Sequence, residues 1–420
     1  MQKMRRLSAL MLAAGVPIAL AGCGGTNSGT NATQDTSGSS KVVKITEMDY
    51  FTDSKGSKGM DNLIKEFEKT HPNIKIERNP VPYEQLLPKS LQEATTHTLP
   101  TILVTDNLNI PTMVSAGAII PFSRVGSVDK SQYLSGPLST VTYNGELYGL
   151  PLGTNDLALF YNKSLFAKAH VSPPKTWDEL LKVAQKLKSS STYGLAFSAP
   201  KDEQATWQFA PFLWTNGGNY AHFDSPQAVQ ALQLWTNLVK TGGASKSVVN
   251  FSQTEVYNEF AAGRAAMMVM GPWEIPPLKQ TKIDYGVVPL PTPKAGQTPI
   301  SPIGGEDWTI TSNATPEQQK AAWTFIQWTQ QKETLLKFDE AMGYIPARKS
   351  ALTEFEQENK DYAVFAKQLE SSKALTSGLR DKLPNVTDAV TTAIQQALTG
   401  EQTPAQAAKQ AETQIKSILG

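Results

Sequence analysis

The sequence contains one cysteine and four histidines and has no excess of charge of either sign. Each shortage excludes a class of chemistry. Cys23 alone forms no disulfide within the chain and supplies neither a thiolate metal cluster nor a Cys-X-X-Cys redox pair. His71, His97, His170 and His222 are too far apart for an HExxH zinc motif, which leaves open only a histidine site assembled in space. Lys and Arg number 39 against 38 Asp and Glu, a net charge of +1, so no one-signed field is available to attract nucleic acid. There is no GxSxG elbow, no GxGxxG after the first strand and no P-loop, and no motif calls for a cofactor. What is present is 420 residues, 40% hydrophobic and 18% charged, enough for two or three lobes with a large buried core.

The position of the cysteine is informative. Residues 1–22 combine a basic start (Lys3, Arg5, Arg6) with an apolar run from Leu7 to Leu20, too short for a spanning helix and fitted to a signal peptide. Leu20-Ala21-Gly22-Cys23 resembles the bacterial lipobox, in which the chain is cut before the cysteine and its sulfur takes a diacylglycerol. The alternative is an ordinary signal peptide with an incidental cysteine. A lipobox implies a protein outside the cytoplasm, tethered to the cell membrane rather than spanning it. Removing Lys3, Arg5 and Arg6 with the leader leaves 36 basic against 38 acidic residues, a net charge of −2. Residues 23–40 then form the lipid-bearing cysteine and a leash almost wholly of Gly, Ser, Thr and Asn, with Asp35 its one charge, that cannot bury apolar surface. As a flexible coil this leash spans roughly 23 Å.

From Lys41 onward, short β-like runs alternate with longer helical ones. Val42–Met48, Ile74–Arg78 and Thr101–Val104 read as strands, with Met60–Thr70 and Tyr83–Thr95 as helices between them. Such βαβα alternation predicts an α/β fold with a mainly parallel sheet covered by helices. Helix starts are marked by Thr176 with Glu179, Ser225-Pro226, Thr315 with Gln318 and Thr403 with Gln406. The last third reads as helical over 316–331, 352–369, 384–398 and 404–419.

Several fragments resemble one family, the bacterial extracellular solute-binding proteins that include maltodextrin-binding lipoproteins of ABC importers. They are Phe67-Glu-Lys-Thr-His71-Pro72-Asn73, Leu147-Tyr148-Gly149-Leu150-Pro151, Ala158-Leu159-Phe160-Tyr161-Asn162-Lys163 and Pro173-Pro174-Lys175-Thr176-Trp177. Gly263-Arg264-Ala265-Ala266-Met267, Gly271-Pro272-Trp273, Gly304-Gly305 and Gly343-Tyr344-Ile345-Pro346 follow in order. The resemblance implies a two-lobed, type II-like periplasmic-binding-protein fold in which each lobe is a mainly parallel sheet flanked by helices. It implies three crossovers, an N-lobe of 42–152 plus 290–342, and a C-lobe of 153–289 plus 343–420. It also implies hinge closure on a small-molecule sugar, delivery to the membrane subunits of an ABC permease, a monomer, and no enzymatic activity.

A sugar ring offers apolar C–H faces and a rim of hydroxyls, so its site needs flat aromatic surface bordered by carboxylates and amides. Of eight tryptophans, Trp235, Trp323 and Trp328 lie in apolar helical runs and read as core, and Trp177 reads as a staple at a helix start. Trp273 follows Gly271-Pro272 in a turn, where the resemblance puts the sugar-stacking ring. Trp207 and Trp214 fall in the region that lines the C-lobe side of the cleft in relatives, and for Trp308 both core and cleft fit. Polar candidates come from strand ends, where open α/β sheets bind ligand. These are Tyr50 and Asp53, Asp106 and Asn107, Asn155 and Asp156, and Gly305, Glu306 and Asp307, with Glu274 beside Trp273 and Tyr344 in the third crossover. Other solutes, a polyamine or a glycerophosphate, fit the same fold, and a surface glycoside hydrolase needs only two cleft carboxylates. Of the five arginines after the leader, only Arg348 is near a crossover, which weakens an anion site.

Overall fold

In the computed structural model, residues 41–420 are described; the leader, Cys23 and the leash lie outside the described residues. Val43–Met48 (β1) pairs parallel with Ile74–Arg78 (β2) on one side and with Ile102–Asp106 (β3) on the other, as the βαβα alternation requires. The small hairpin Thr142–Tyr143 (β4) and Glu146–Leu147 (β5) leads into Gly149–Asn155 (β6). A second sheet takes Ala158–Asn162 (β7) at its centre, with Met267–Met270 (β8) and Tyr285–Val288 (β9) antiparallel on either side. The chain then returns to the first sheet through Pro302–Ile310 (β10), which runs antiparallel to both β3 and β6 and carries Lys373–Ala374 (β11) at its start.

The parallel pattern read from the sequence therefore describes β1, β2 and β3. The first sheet as a whole is mixed because β10 returns antiparallel. The strands of the second sheet are antiparallel, and parallel contacts there come from bridges at Tyr193, Leu195 and Ala196.

Each sheet has its own apolar packing. Met60, Leu63, Ile64 and Phe67 recur at helical spacing on the Ser54–Thr70 helix and bury one face against the first sheet, with Phe67 edge-on to Phe325 at 4.9 Å. Trp308 joins this core, fully buried and edge-on to Phe325 at 5.1 Å, which decides its role as packing. Trp235 sits in the other core between Phe197, Phe209 and Phe212.

The cap signals lie where the sequence reading has them. Thr315 and Thr403 form complete capping boxes with Gln318 and Gln406. Thr176 accepts from the Glu179 amide, but the Glu179 carboxylate reaches the Lys175 amide at 2.7 Å instead of closing the box. The expected helix 352–369 is two pieces, Lys349–Glu358 and Ala363–Gln368, separated by a 3-10 turn at Lys360–Tyr362. Among the described residues, no helix is long and apolar enough to cross a membrane.

Candidate functional site

The carboxyl ends of β1 and β3 and the start of β10 meet beside the first turn of the Glu203–Thr215 helix and the turn after β8. These segments place acids and phenols together. The Tyr50 hydroxyl donates to Glu306 Oε1, and the Tyr344 hydroxyl stands beside the same carboxyl group. Tyr50 also meets Tyr83 edge-on, with ring centroids 4.9 Å apart. Tyr83 in turn donates to Asp106 Oδ2 at 3.4 Å and adjoins Glu203. Glu306 is only 6% exposed, and its second oxygen, Oε2, has no protein partner.

Burial sets the electrostatics of this cluster. It raises the Glu306 pKa, and the Tyr344 and Tyr50 hydroxyls oppose that rise. Burial, reinforced by the Glu306 charge, pushes Asp106 up to about 8. Glu203 is raised by burial as well.

Two glycines of β10 allow close approaches, Gly304 to the Trp207 ring and Gly305 to the β6 backbone. A Cβ on Gly304 would stand 2.6 Å from the Trp207 ring, so the indole lies directly on the β10 backbone. Gly305 has φ +130°, a conformation that L side chains rarely adopt, and a Cβ there would come within 2.9 Å of Thr154 Cα. Trp207 and Glu203 are four residues apart on one helix, which puts the indole and the carboxylate on the same face.

At the other end, Trp273 and Glu274 occupy the turn after β8. Lys55 Nζ donates to the carbonyl oxygens of Trp273 at 2.9 Å and Met342 at 3.0 Å. Burial pushes the Glu274 pKa up to about 7 against the opposing charge of Lys55.

The structure thus brings together Tyr50, Asp106, Gly305, Glu306, Tyr344 and Trp207, with Asn155 against Gly304 and with Trp273 and Glu274 beside Lys55. Asp307 is buried with Oδ2 unpartnered, within electrostatic reach of Asp106 and Glu306. Other candidates have structural employment. Asp53 caps the Ser54–Thr70 helix, accepting from the amides of Lys55 and Gly56 at 2.7 and 2.6 Å. Asn107 ties the end of β3 to β10 by donating to the Ile303 carbonyl at 3.1 Å. Asp156 is fully buried and turned to Gln368 and Ser372. Trp214 packs at the far end of its helix against Tyr220, with centroids 6.3 Å apart. Arg348 binds Gln132 and the Gln330 carbonyl, away from the acids.

Tyr83, Glu203 and Lys55 are additions to the residues read from the sequence. Tyr83 follows β2 as the first residue of its helix, so the strand-end rule applied to β2 finds it. Glu203 and Lys55 lie in the first turns of helices, where a charged residue has the signature of a dipole or cap partner. Among the described residues, no group of three or more His, Cys, Asp and Glu is arranged to hold a metal ion. A surface groove of about 640 Å³ between Lys130, Tyr133, Leu138, Thr142 and Lys349 shares no residue with the acid cluster.

The sequence profile of the bacterial extracellular solute-binding proteins matches residues 62–366, well over half of the chain. The chain belongs to this family. A galactooligosaccharide-binding protein of Bacillus subtilis is 25% identical over the whole chain and 98% of its own length. An sn-glycerol-3-phosphate-binding periplasmic protein of Escherichia coli is 27% identical, over 86% of this chain and 90% of its own. Among solved structures, an ABC transporter solute-binding protein from Thermotoga lettingae bound with alpha-D-tagatose superposes with a TM-score of 0.82. It is 26% identical and covers 90% of this chain and 100% of that one. The fold is accordingly the two-lobed α/β architecture of periplasmic binding proteins, and these family relatives bind solutes rather than transform them.

Proposed function

We propose that this chain is the receptor of an ABC importer that captures an oligosaccharide or related uncharged sugar between its lobes. The observation that carries the reading is the set of tyrosines and acids at Tyr50, Glu306, Tyr344, Tyr83 and Asp106, bordered by Trp207 and Trp273. Buried carboxylates and phenols hydrogen-bond hydroxyls, and the indoles give flat apolar area for sugar faces. The crossovers between β6 and β7, between β9 and β10, and around Gly343 serve as hinges in this reading. The lipobox-like Cys23 supports a lipid anchor at the outer face of the cell membrane, with the mature chain acting as a monomer.

The charge of the site argues against an anionic solute. A phosphate would meet the acids Glu306, Glu203 and Glu274, with Asp106 beside them kept protonated by burial, and the cation beside them, Lys55, is engaged by two carbonyls. The same acids favour one second reading, a solute carrying a protonated amine.

Tryptophan fluorescence and calorimetry against neutral saccharides, polyamines and glycerophosphates test the reading. Saturable binding of a neutral saccharide without turnover is expected. Tight polyamine binding with no saccharide response would overturn it in favour of the second reading. Trp273→Ala is expected to weaken saccharide binding by about 1–3 kcal/mol through loss of an aromatic anchor. An unchanged Kd in a folded variant would make that ring structural.

A further inference from the structure

Lys55 belongs to the Ser54–Thr70 helix, which packs with the core of the first sheet. Its ammonium group is held on one side by the Met342 carbonyl at 3.0 Å, and Met342 is part of that same core. On the other side it donates at 2.9 Å to the carbonyl of Trp273, whose ring packs against the core of the second sheet and its neighbouring cluster. One donor therefore joins a site preset within one lobe to a backbone oxygen of the other. The carbonyl it reaches belongs to the tryptophan assigned to sugar stacking, and the carbonyl that presets it lies two residues before Tyr344, which adjoins Glu306.

The seam here leaves little slack. A Cβ on Gly343 would stand 2.8 Å from Trp273 Cα and 2.9 Å from the Pro272 carbonyl, so the crossover and the Trp273 turn are in backbone contact. Glu274, Asp53 and Glu306 are the charged groups that face the ammonium. They favour its charged form against the burial that lowers its pKa. A charged donor shared between two carbonyls in a partly desolvated seam is a stronger tie than a neutral one.

We infer that Lys55 is a positioning residue that latches the closed state. It fastens the Trp273 turn of one lobe to Met342 of the other, at the edge of the third crossover, so that the aromatic wall and the acid–phenol cluster are held in register while the lobes are shut. The inference rests on the cleft being the solute site. A tie that favours the closed state slows escape, and it affects entry only through the share of solute-free molecules it holds shut.

The test uses the full chain with Lys55→Met, which keeps the aliphatic stem and removes the donor, and Lys55→Arg, which keeps charge and donors. Thermal unfolding first establishes that each variant folds. With maltotriose and a galactotriose as probes, Lys55→Met is expected to raise koff about tenfold with kon within twofold of the parent, and Lys55→Arg to recover at least part of the slow release. Small-angle scattering without saccharide is expected to show a larger radius of gyration for Lys55→Met than for the parent, because the latch biases the lobes toward closure on its own. Identical scattering curves together with unchanged koff would overturn the latch. A fall in kon alone would reassign Lys55 to the entry path and overturn it as well. If neither probe binds, the saccharide reading is what fails, and the scattering comparison alone then decides the latch.

Discussion

In the folded chain Asp106 is pushed up to about 8 by burial and the neighbouring Glu306 charge, whereas unfolded it titrates at an ordinary carboxylate value. The native state therefore holds an extra proton between those two values, and its stability falls as pH rises through that window. Glu274, pushed up to about 7, adds to the same trend over a narrower range. Asp106→Asn is expected to flatten the dependence, raising Tm at pH 8.5 by a few degrees and leaving it nearly unchanged at pH 4, with calorimetric scans as the measurement. The single-residue level is also where the sequence was hardest to read. Asp53, Asn107 and Asp156 have the same strand-end placement as Tyr50, Asp106 and Glu306, yet they cap a helix, tie two strands and anchor a distant helix. A carboxylate that closes a turn and one gathered into an acid–phenol cluster look alike in sequence, because the difference lies in which long-range partners surround them.

Arg78, at the end of β2, shows how neighbouring elements hold the front of the site. Its guanidinium contacts Asp49 through Nε at 2.5 Å and through Nη2 at 2.8 Å, and it reaches the Phe51 carbonyl as well as Ser57 and Asp61 on the adjoining helix. One side chain thus fixes the loop from β1 to that helix, the loop that presents Tyr50. Asp49 and Glu47 are fully buried, and burial together with the Asp49 charge holds Glu47 toward its protonated form, so Arg78→Leu would strand the Asp49 carboxylate, and a loss of about 3–5 kcal/mol in denaturant unfolding is expected. A loss below about 1 kcal/mol would show that solvent reaches those acids. Helix starts were legible because a capping box is a local bargain between a side chain and an amide three residues on, as at Thr315 and Thr403. The break at Lys360–Tyr362 was not legible, since no Pro or Gly marks it and packing of Tyr362 against Phe355 determines the turn.

At the scale of the molecule, the two-lobed fold was legible from the order of fragments between Phe67 and Pro346, and the family assignment of residues 62–366 agrees with it. The antiparallel direction of β10 was not, because strand direction is set by where the chain returns from. The lipid-anchor proposal has its test at this scale too. Cys23→Ser is expected to shift the protein from the membrane fraction of a bacterial host to the soluble extracytoplasmic fraction. Mass spectrometry of the parent should find a diacylglyceryl group on Cys23. Retention of the serine variant at the membrane would remove the anchor from the account.

The pairing of β10 with both β3 and β6 has a consequence for how the protein folds. Trp308 pairs with Val104 and with Leu150, partners about 200 and 160 residues earlier in the chain. The first sheet therefore stays unfinished until most of the polypeptide exists, and such distant pairing makes closure of this sheet a slow event in folding. Until Pro302–Ile310 arrives, β3 exposes an unpaired hydrogen-bonding edge and the early chain has no complete core. Completion of the first sheet is thereby tied to the arrival of β10.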